Sequence, residues 1–318
     1  MIGKFSKNIP LLLFIFASIP WSANAQQLAF KKEKQKADVH FSYTWQDHQQ
    51  QHTELEFSLP LRQVNRQQHK KFIPELAQQY VYIELHKAAR KIDPREARVQ
   101  IQHRGQDILI NVNSRSNNLL AKWQQLMAQS QDKAFDQYLE EHYYSHFQSY
   151  IGQKGVKPDH LRYIKENKTV LLPIAQAVYD KLPSNSETRA YVNLVLSWVQ
   201  SIPYNELENR ITSNGAGYLP PLSVVANNQG DCDSKTVLMA SLIRSLLPDV
   251  SMTMIFLPGH ALLGVVLPFR TDEQTLDVNG LEYLLLEPTG PAKLPLGEIA
   301  NSSARAIAGN MYSLELIP

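Results

Sequence analysis

Apolar and polar positions fall into blocks along the chain, and the blocks predict a mixture of strands and helices. Residues 40–45 and 53–59 alternate apolar with polar side chains, the period of half-buried strands. Residues 72–91 change to helical spacing, which Asp93-Pro94 stops. Residues 99–103 and 107–112 return to strand patterning and predict a hairpin turning at Arg104-Gly105-Gln106. From 119 to 150, residues such as Leu120, Trp123, Met127, Phe135, Tyr138 and Tyr143 predict one or two helices, and 170–179 predicts another.

The patterning is clearest after Ser186. Tyr191, Leu194, Val195, Trp198 and Val199 recur at i, i+3, i+4, i+7 and i+8, an amphipathic helix that ends at Ile202-Pro203-Tyr204. A loop rich in Gly, Asn and Pro runs through Gly215, Gly217, Pro220 and Pro221. Leu238, Met239, Leu242, Ile243, Leu246 and Leu247 then mark a strongly apolar helix that begins at or near Cys232 and stops at Pro248. Apolar runs at 252–257, 261–267 and 283–286 read as strands, with His260 at a strand start and Glu287 at a strand end. The fold class is therefore α+β. Its expected divisions are a leader at 1–25, an N-terminal α+β region at 26–114, a helical connecting region at 115–185 and a C-terminal domain at 186–318.

Composition narrows the function. With 318 residues and 43% hydrophobic content, the chain can bury a large core and is not of the disordered class. A formal net charge of +2 argues against general nucleic-acid binding. The single cysteine excludes an intramolecular disulfide, a cysteine zinc knuckle and an iron–sulfur cluster. No cofactor or metal is expected. Charge is uneven: residues 26–186 carry 23 Lys/Arg and 17 Asp/Glu, and 187–318 carry 7 and 13, so the halves are oppositely charged. The Lys31–Lys36 run and the basic stretch at 62–71 read as solvated faces. Lys4 and Lys7, the apolar run at 11–21 and Ala23-Asn24-Ala25 have the pattern of a cleaved signal peptide. The mature chain is expected to be exported, periplasmic or secreted, with no integral membrane segment.

The chemistry centres on Cys232. A thiol at a helix N-terminus meets unpaired N–H groups and the positive end of the macrodipole, which favour thiolate. Asp231 and Asp233 oppose that shift, so a base is needed. His260 is the sole histidine after residue 186. It follows Cys232 by 28 residues, and Glu287 follows it by 27. A thiol, an imidazole and an orienting carboxylate are the set that nucleophilic acyl transfer requires.

The pattern Trp198…Ile202-Pro203-Tyr204, Pro220-Pro221, Gly230-Asp231-Cys232-Asp233 and Gly259-His260-Ala261 resembles the transglutaminase-like superfamily, a branch of the papain-like cysteine hydrolases. The resemblance spans residues 186–300. It implies an α+β core with the cysteine on a helix and the histidine and acid on an antiparallel sheet. It also implies Cys232 as nucleophile, His260 as general base and acid, and an acidic third residue. The family's third residue is usually Asp, whereas the matching strand end here carries Glu287; Asp272 and Asp277 stay open as alternatives. The oxyanion hole is expected to use the Cys232 backbone N–H, with Gln229 and Tyr218 as candidates for a second donor.

The expected function is that of an exported thiol enzyme acting on protein or peptide amides through a thioester. Water as acceptor makes it a peptidase or amidase, and a lysine amine makes it a transglutaminase. Bacterial proteins that look like this include cysteine peptidases, which favours hydrolysis. A non-catalytic binding module and an envelope assembly factor, with a protein partner in the envelope, are the readings from other classes.

Overall fold

The computed structural model describes residues 27–65, 69–105, 107–209, 213 and 215–318. The expected signal peptide at 1–25 and Gln106 of the expected turn lie outside the described residues. The described residues open with a three-stranded antiparallel sheet: β1 (Gln27–Gln35), β2 (Asp38–Gln46) and β3 (His52–Pro60), in that order. Strand alternation buries Val39, Phe41, Tyr43 and Trp45 on one face, with Leu55, Phe57 and Leu59 beside them. Lys31, Lys32 and Lys34 of the expected charge run lie in β1, an edge strand whose exposed lysines discourage further pairing, and Lys36 lies in the turn that follows it. A short helix, α1 (Leu61–Val64), closes this unit.

Next come α2 (Pro74–Ala89), a hairpin of β4 (Arg98–Arg104) and β5 (Asp107–Asn113), and α3 (Asn117–Glu141). They share a small core of their own around Val81, Leu85, Ile101 and Met127. The helical expectation for 119–150 holds only as far as Glu141. Tyr143, at φ +60, turns the chain out of the helix, and a second hairpin follows, β6 (Tyr144–Gln148) with β7 (Lys154–Pro158). Asp159 then caps α4 (His160–Asn167) by accepting the Arg162 N–H at 3.1 Å, and α5 (Leu172–Tyr179) completes the region.

The C-terminal part contributes α6 (Thr188–Ser201), α7 (Pro221–Asn227) and α8 (Cys232–Leu246), then β8 (Met252–Leu257), β9 (His260–Val265), β10 (Thr275–Val278), β11 (Leu281–Leu286), α9 (Asn301–Ala308) and β12 (Ser313–Ile317). The Pro220-Pro221 segment, expected as loop, starts a helix because Pro221 sits at its first position, where a missing N–H costs nothing. The strands form one antiparallel sheet in the order β10-β11-β9-β8-β12. Of the two alternative acids, Asp277 lies in β10 and Asp272 precedes it.

Helix α8 is buried from Ser234 to Arg244, enclosed by α4, α5, α6 and α7 and by the sheet. Met254, Phe256, Ala261, Leu263, Leu284 and Leu286 share the central core with it, while Ile255, Leu262 and Leu285 face away and pack with Ile299 and Ala306 at α9. The central core also takes in the N-terminal sheet. The Trp198 ring of α6 stands edge-on to Tyr43 and Phe57, the Tyr43 hydroxyl donates to the Val225 carbonyl at 2.7 Å, and the Trp45 indole N–H donates to Ser197 Oγ at 3.0 Å. The architecture is α+β with a curled antiparallel sheet. Among the described residues, no helix is long and apolar enough to cross a membrane.

Candidate active site

Cys232 is the first residue of α8. Asp231 is the N-cap, and its carboxylate accepts the Ser234 N–H at 3.0 Å. The thiol is half-buried and donates to Asp233 Oδ1 at 3.5 Å. The helix N-terminus does not prevail here. Burial raises the Cys232 pKa, and the negative Asp233 and Asp231 raise it further. Burial also raises Asp231, from 3.8 to about 7, with Asp233 adding to the shift and the Ser234 contacts opposing it. Asp233 is raised as well, by burial first, although its side chain remains 31% exposed in the mouth of the site. These influences favour the protonated thiol over the thiolate.

His260 and Glu287 form the second pair. Pro258 and Gly259 make a tight turn between β8 and β9, with Gly259 at φ +70, so His260 starts its strand at the end of the sheet. His260 Nε2 lies 2.9 Å from Glu287 Oε1. Glu287 Oε2 accepts the Ala300 N–H at 2.8 Å. Burial pushes the Glu287 pKa up, but the His260, Ala300 and Ser303 contacts outweigh it and leave the group below its ordinary value. An ionised Glu287 accepts only, so Nε2 carries a proton, and in a neutral imidazole Nδ1 is then the nitrogen with the lone pair.

The first turn of α8 ties these segments together. Thr236, one turn beyond Cys232, donates to the carbonyl of Ala261, the neighbour of His260, at 3.4 Å. Lys235 is fully buried, and its ammonium donates to the carbonyls of Ile202 at 2.7 Å, Gln200 at 3.4 Å and Thr289. Burial lowers its pKa to about 7, with the negative Asp231 opposing the shift. Gly290, at φ +63, presses on the Gln200 backbone: a β-carbon there would sit 2.2 Å from the Gln200 oxygen. The loop after Glu287 is thereby held against the end of α6 and the start of α8.

Glu287 is the carboxylate that meets His260. Asp272 is exposed, and Asp277 accepts the Gly280 N–H at 3.3 Å within its own turn. Gln229 precedes the cysteine loop, and its side-chain Oε1 accepts from Asn205 Nδ2 at 3.0 Å. Tyr218 is buried between His160 and Tyr163, its hydroxyl without a hydrogen-bond partner among the described residues. Sequence reasoning missed His160. This fully buried side chain from α4 sits with Nε2 3.7 Å from Asp233 Oδ2. Only its chemistry could have flagged it, since it lies 72 residues before Cys232 in a stretch without a motif.

The described site therefore holds two hydrogen-bonded pairs, Cys232 with Asp233 and His260 with Glu287. They are linked through Asp233, whose pKa His260 draws down. Among the described residues, no group of three or more His, Cys, Asp or Glu side chains is placed to hold a metal ion. No family model, curated protein or solved structure matches the chain.

Proposed function

We propose that the protein is an exported thiol enzyme that breaks amide bonds of proteins or peptides through a thioester on Cys232, with water as the favoured acceptor. The observation that carries this reading is the His260–Glu287 pair. A buried, ionised carboxylate fixes the imidazole Nε2–H and leaves Nδ1 free to act as a base, on a strand whose Ala261 carbonyl accepts from Thr236 of the helix that the only cysteine begins. The transglutaminase-like pattern read from the sequence supports the same assignment.

The steps follow from these groups. His260 Nδ1 takes the Cys232 proton, and Glu287 stabilises the imidazolium. The sulfur attacks the amide carbonyl, and the Cys232 backbone N–H, in a first helical turn without an intrahelical acceptor, faces the developing oxyanion. The imidazolium returns its proton to the leaving amine, and the acyl group stays on sulfur. Water, deprotonated by Nδ1, resolves the thioester to a carboxylate; a primary amine would resolve it to a new amide.

An activated ester tests this without knowledge of the natural substrate. With p-nitrophenyl acetate, the expected result is a burst of one p-nitrophenolate per chain and an acetyl group on Cys232 by mass spectrometry. Both are lost in Cys232→Ser and His260→Ala. An acetyl group that decays in water and is not captured by added amine supports hydrolysis, and capture supports transfer. A native chain that gives no burst, while its denatured thiol acetylates, contradicts the reading. The raised pKa of the resting thiol favours one rival, a binding module that keeps the fold without turnover.

A further inference from the structure

The site receives a second imidazole from the opposite half of the chain. His160, the first residue of α4, is fully buried, and neither ring nitrogen has a hydrogen-bond partner among the described residues. Its ring is stacked on Phe256 at a centroid distance of 5.7 Å and tilted against Tyr218 at 5.3 Å. Buried polar atoms without partners are uncommon and call for a reason. Here Nε2 stands 3.7 Å from Asp233 Oδ2, a few tenths of an ångström beyond a hydrogen bond, while Oδ1 of the same carboxylate accepts a hydrogen bond from the Cys232 thiol at 3.5 Å.

Resting on the reading of Cys232 as nucleophile, we infer that His160 is a positioning residue that acts on the thiol through Asp233. Its N–H engages Oδ2 and takes up part of the negative charge that would otherwise hold the proton on sulfur. Burial, with Lys157 and His69 adding to it, keeps the imidazole neutral, so it contributes a donor rather than a cation. Lys157 supports it from β7: the ammonium draws the Asp233 pKa down and is anchored to Glu315 Oε2 at 2.8 Å. On the C-terminal side, His260 also draws Asp233 down, and Asp231 presses on the thiol with the same sign as Asp233. The β7–α4 corner thus gives the N-terminal half a defined task at the site.

The test is the iodoacetamide alkylation rate of Cys232 at pH 9 in the full-length chain, in the His260→Ala background so that the thiol titrates without its base. A tenfold rate change corresponds to about one unit of thiol pKa while the thiol is mostly protonated. Asp233→Asn is expected to raise the rate by about tenfold and His160→Phe to lower it by about threefold, the sizes expected for a removed and an unshielded neighbouring charge. His160→Gln, which keeps an N–H donor, restores the parent rate. In the Asp233→Asn background, His160→Phe changes nothing, because the charge it screens is gone. An equal effect of His160→Phe in both backgrounds, or no effect in the parent, overturns the inference. If His160→Phe does not fold, an Asp233→Asn rate no higher than the parent's, or a His160→Gln rate as low as about a third of it, overturns it as well. Failure of the enzymatic reading shows up separately, as an ester burst that does not depend on His260.

Discussion

At the scale of single residues, the account depends on which atoms hold protons. Glu287 accepts two N–H groups, from His260 and Ala300, and a glutamine can accept both only through one oxygen. Glu287→Gln is therefore expected to cut the rate of the ester burst by on the order of 10²–10⁴, as loss of the orienting carboxylate does in related triads. An unchanged burst would show that the carboxylate plays no part. The N-cap gives a stability prediction. Asp231→Ala should cost about 1 kcal/mol through the lost cap, whereas Asp231→Asn keeps an acceptor for the Ser234 N–H. Because the folded pKa of Asp231 is raised, from 3.8 to about 7, the folded state holds the extra proton between those values. Its contribution to stability is full at the acid end of that window and falls as pH rises through it. Asp231→Asn should accordingly gain on the parent between pH 5 and pH 8 in urea denaturation. A difference independent of pH would mean that Asp231 titrates normally.

At the scale of elements, the loop after β11 is the vulnerable joint. Gly290→Ala adds a β-carbon where the Gln200 backbone already sits and where φ is positive, so the loop has to move. The expected cost is about 1–3 kcal/mol, with a slower burst as Thr289 and Glu287 shift. A variant with the parent melting temperature and burst would show that the loop has slack. The elements that carry this joint were readable because their patterns are one-sided or wholly apolar: α6, α8, β8, β9 and β11 follow the expected runs. Others were not, for local reasons. Tyr143 and Tyr144 continue the aromatic spacing of α3, so only the backbone turn at Tyr143 reveals that a hairpin follows. The lysines of β1 mask a strand whose partner, β2, supplies the apolar face. Cys232, His260 and Glu287 could be named because each sits at the edge of an apolar run. His160 could not, because what marks it is its place beside Asp233, a nearness that only the fold creates.

At the scale of the whole molecule, the two halves meet in one core and at one site. Trp198, fully buried, touches Tyr43 and Phe57 of the N-terminal sheet, and Lys32 of β1 donates to the Ala226 carbonyl at 3.0 Å. Trp198→Ala should destabilise the protein by about 3–5 kcal/mol. The loss should appear in the N-terminal sheet and the C-terminal helices together, as coincident transitions by near- and far-ultraviolet circular dichroism. Separate transitions would show that the halves are independent. The same union explains how a site on α8 and β9 comes to include His160 and Lys157. The central claim, that Cys232 is a nucleophile served by His260, is tested most directly by the alkylation rate of Cys232 against pH in the native chain and in His260→Ala. The account predicts that the native rate rises well below the ordinary thiol range of about 8.5. In His260→Ala that rise should vanish and reaction should wait for the thiol itself. A native rate that follows a thiol titration with or without His260 would contradict the claim.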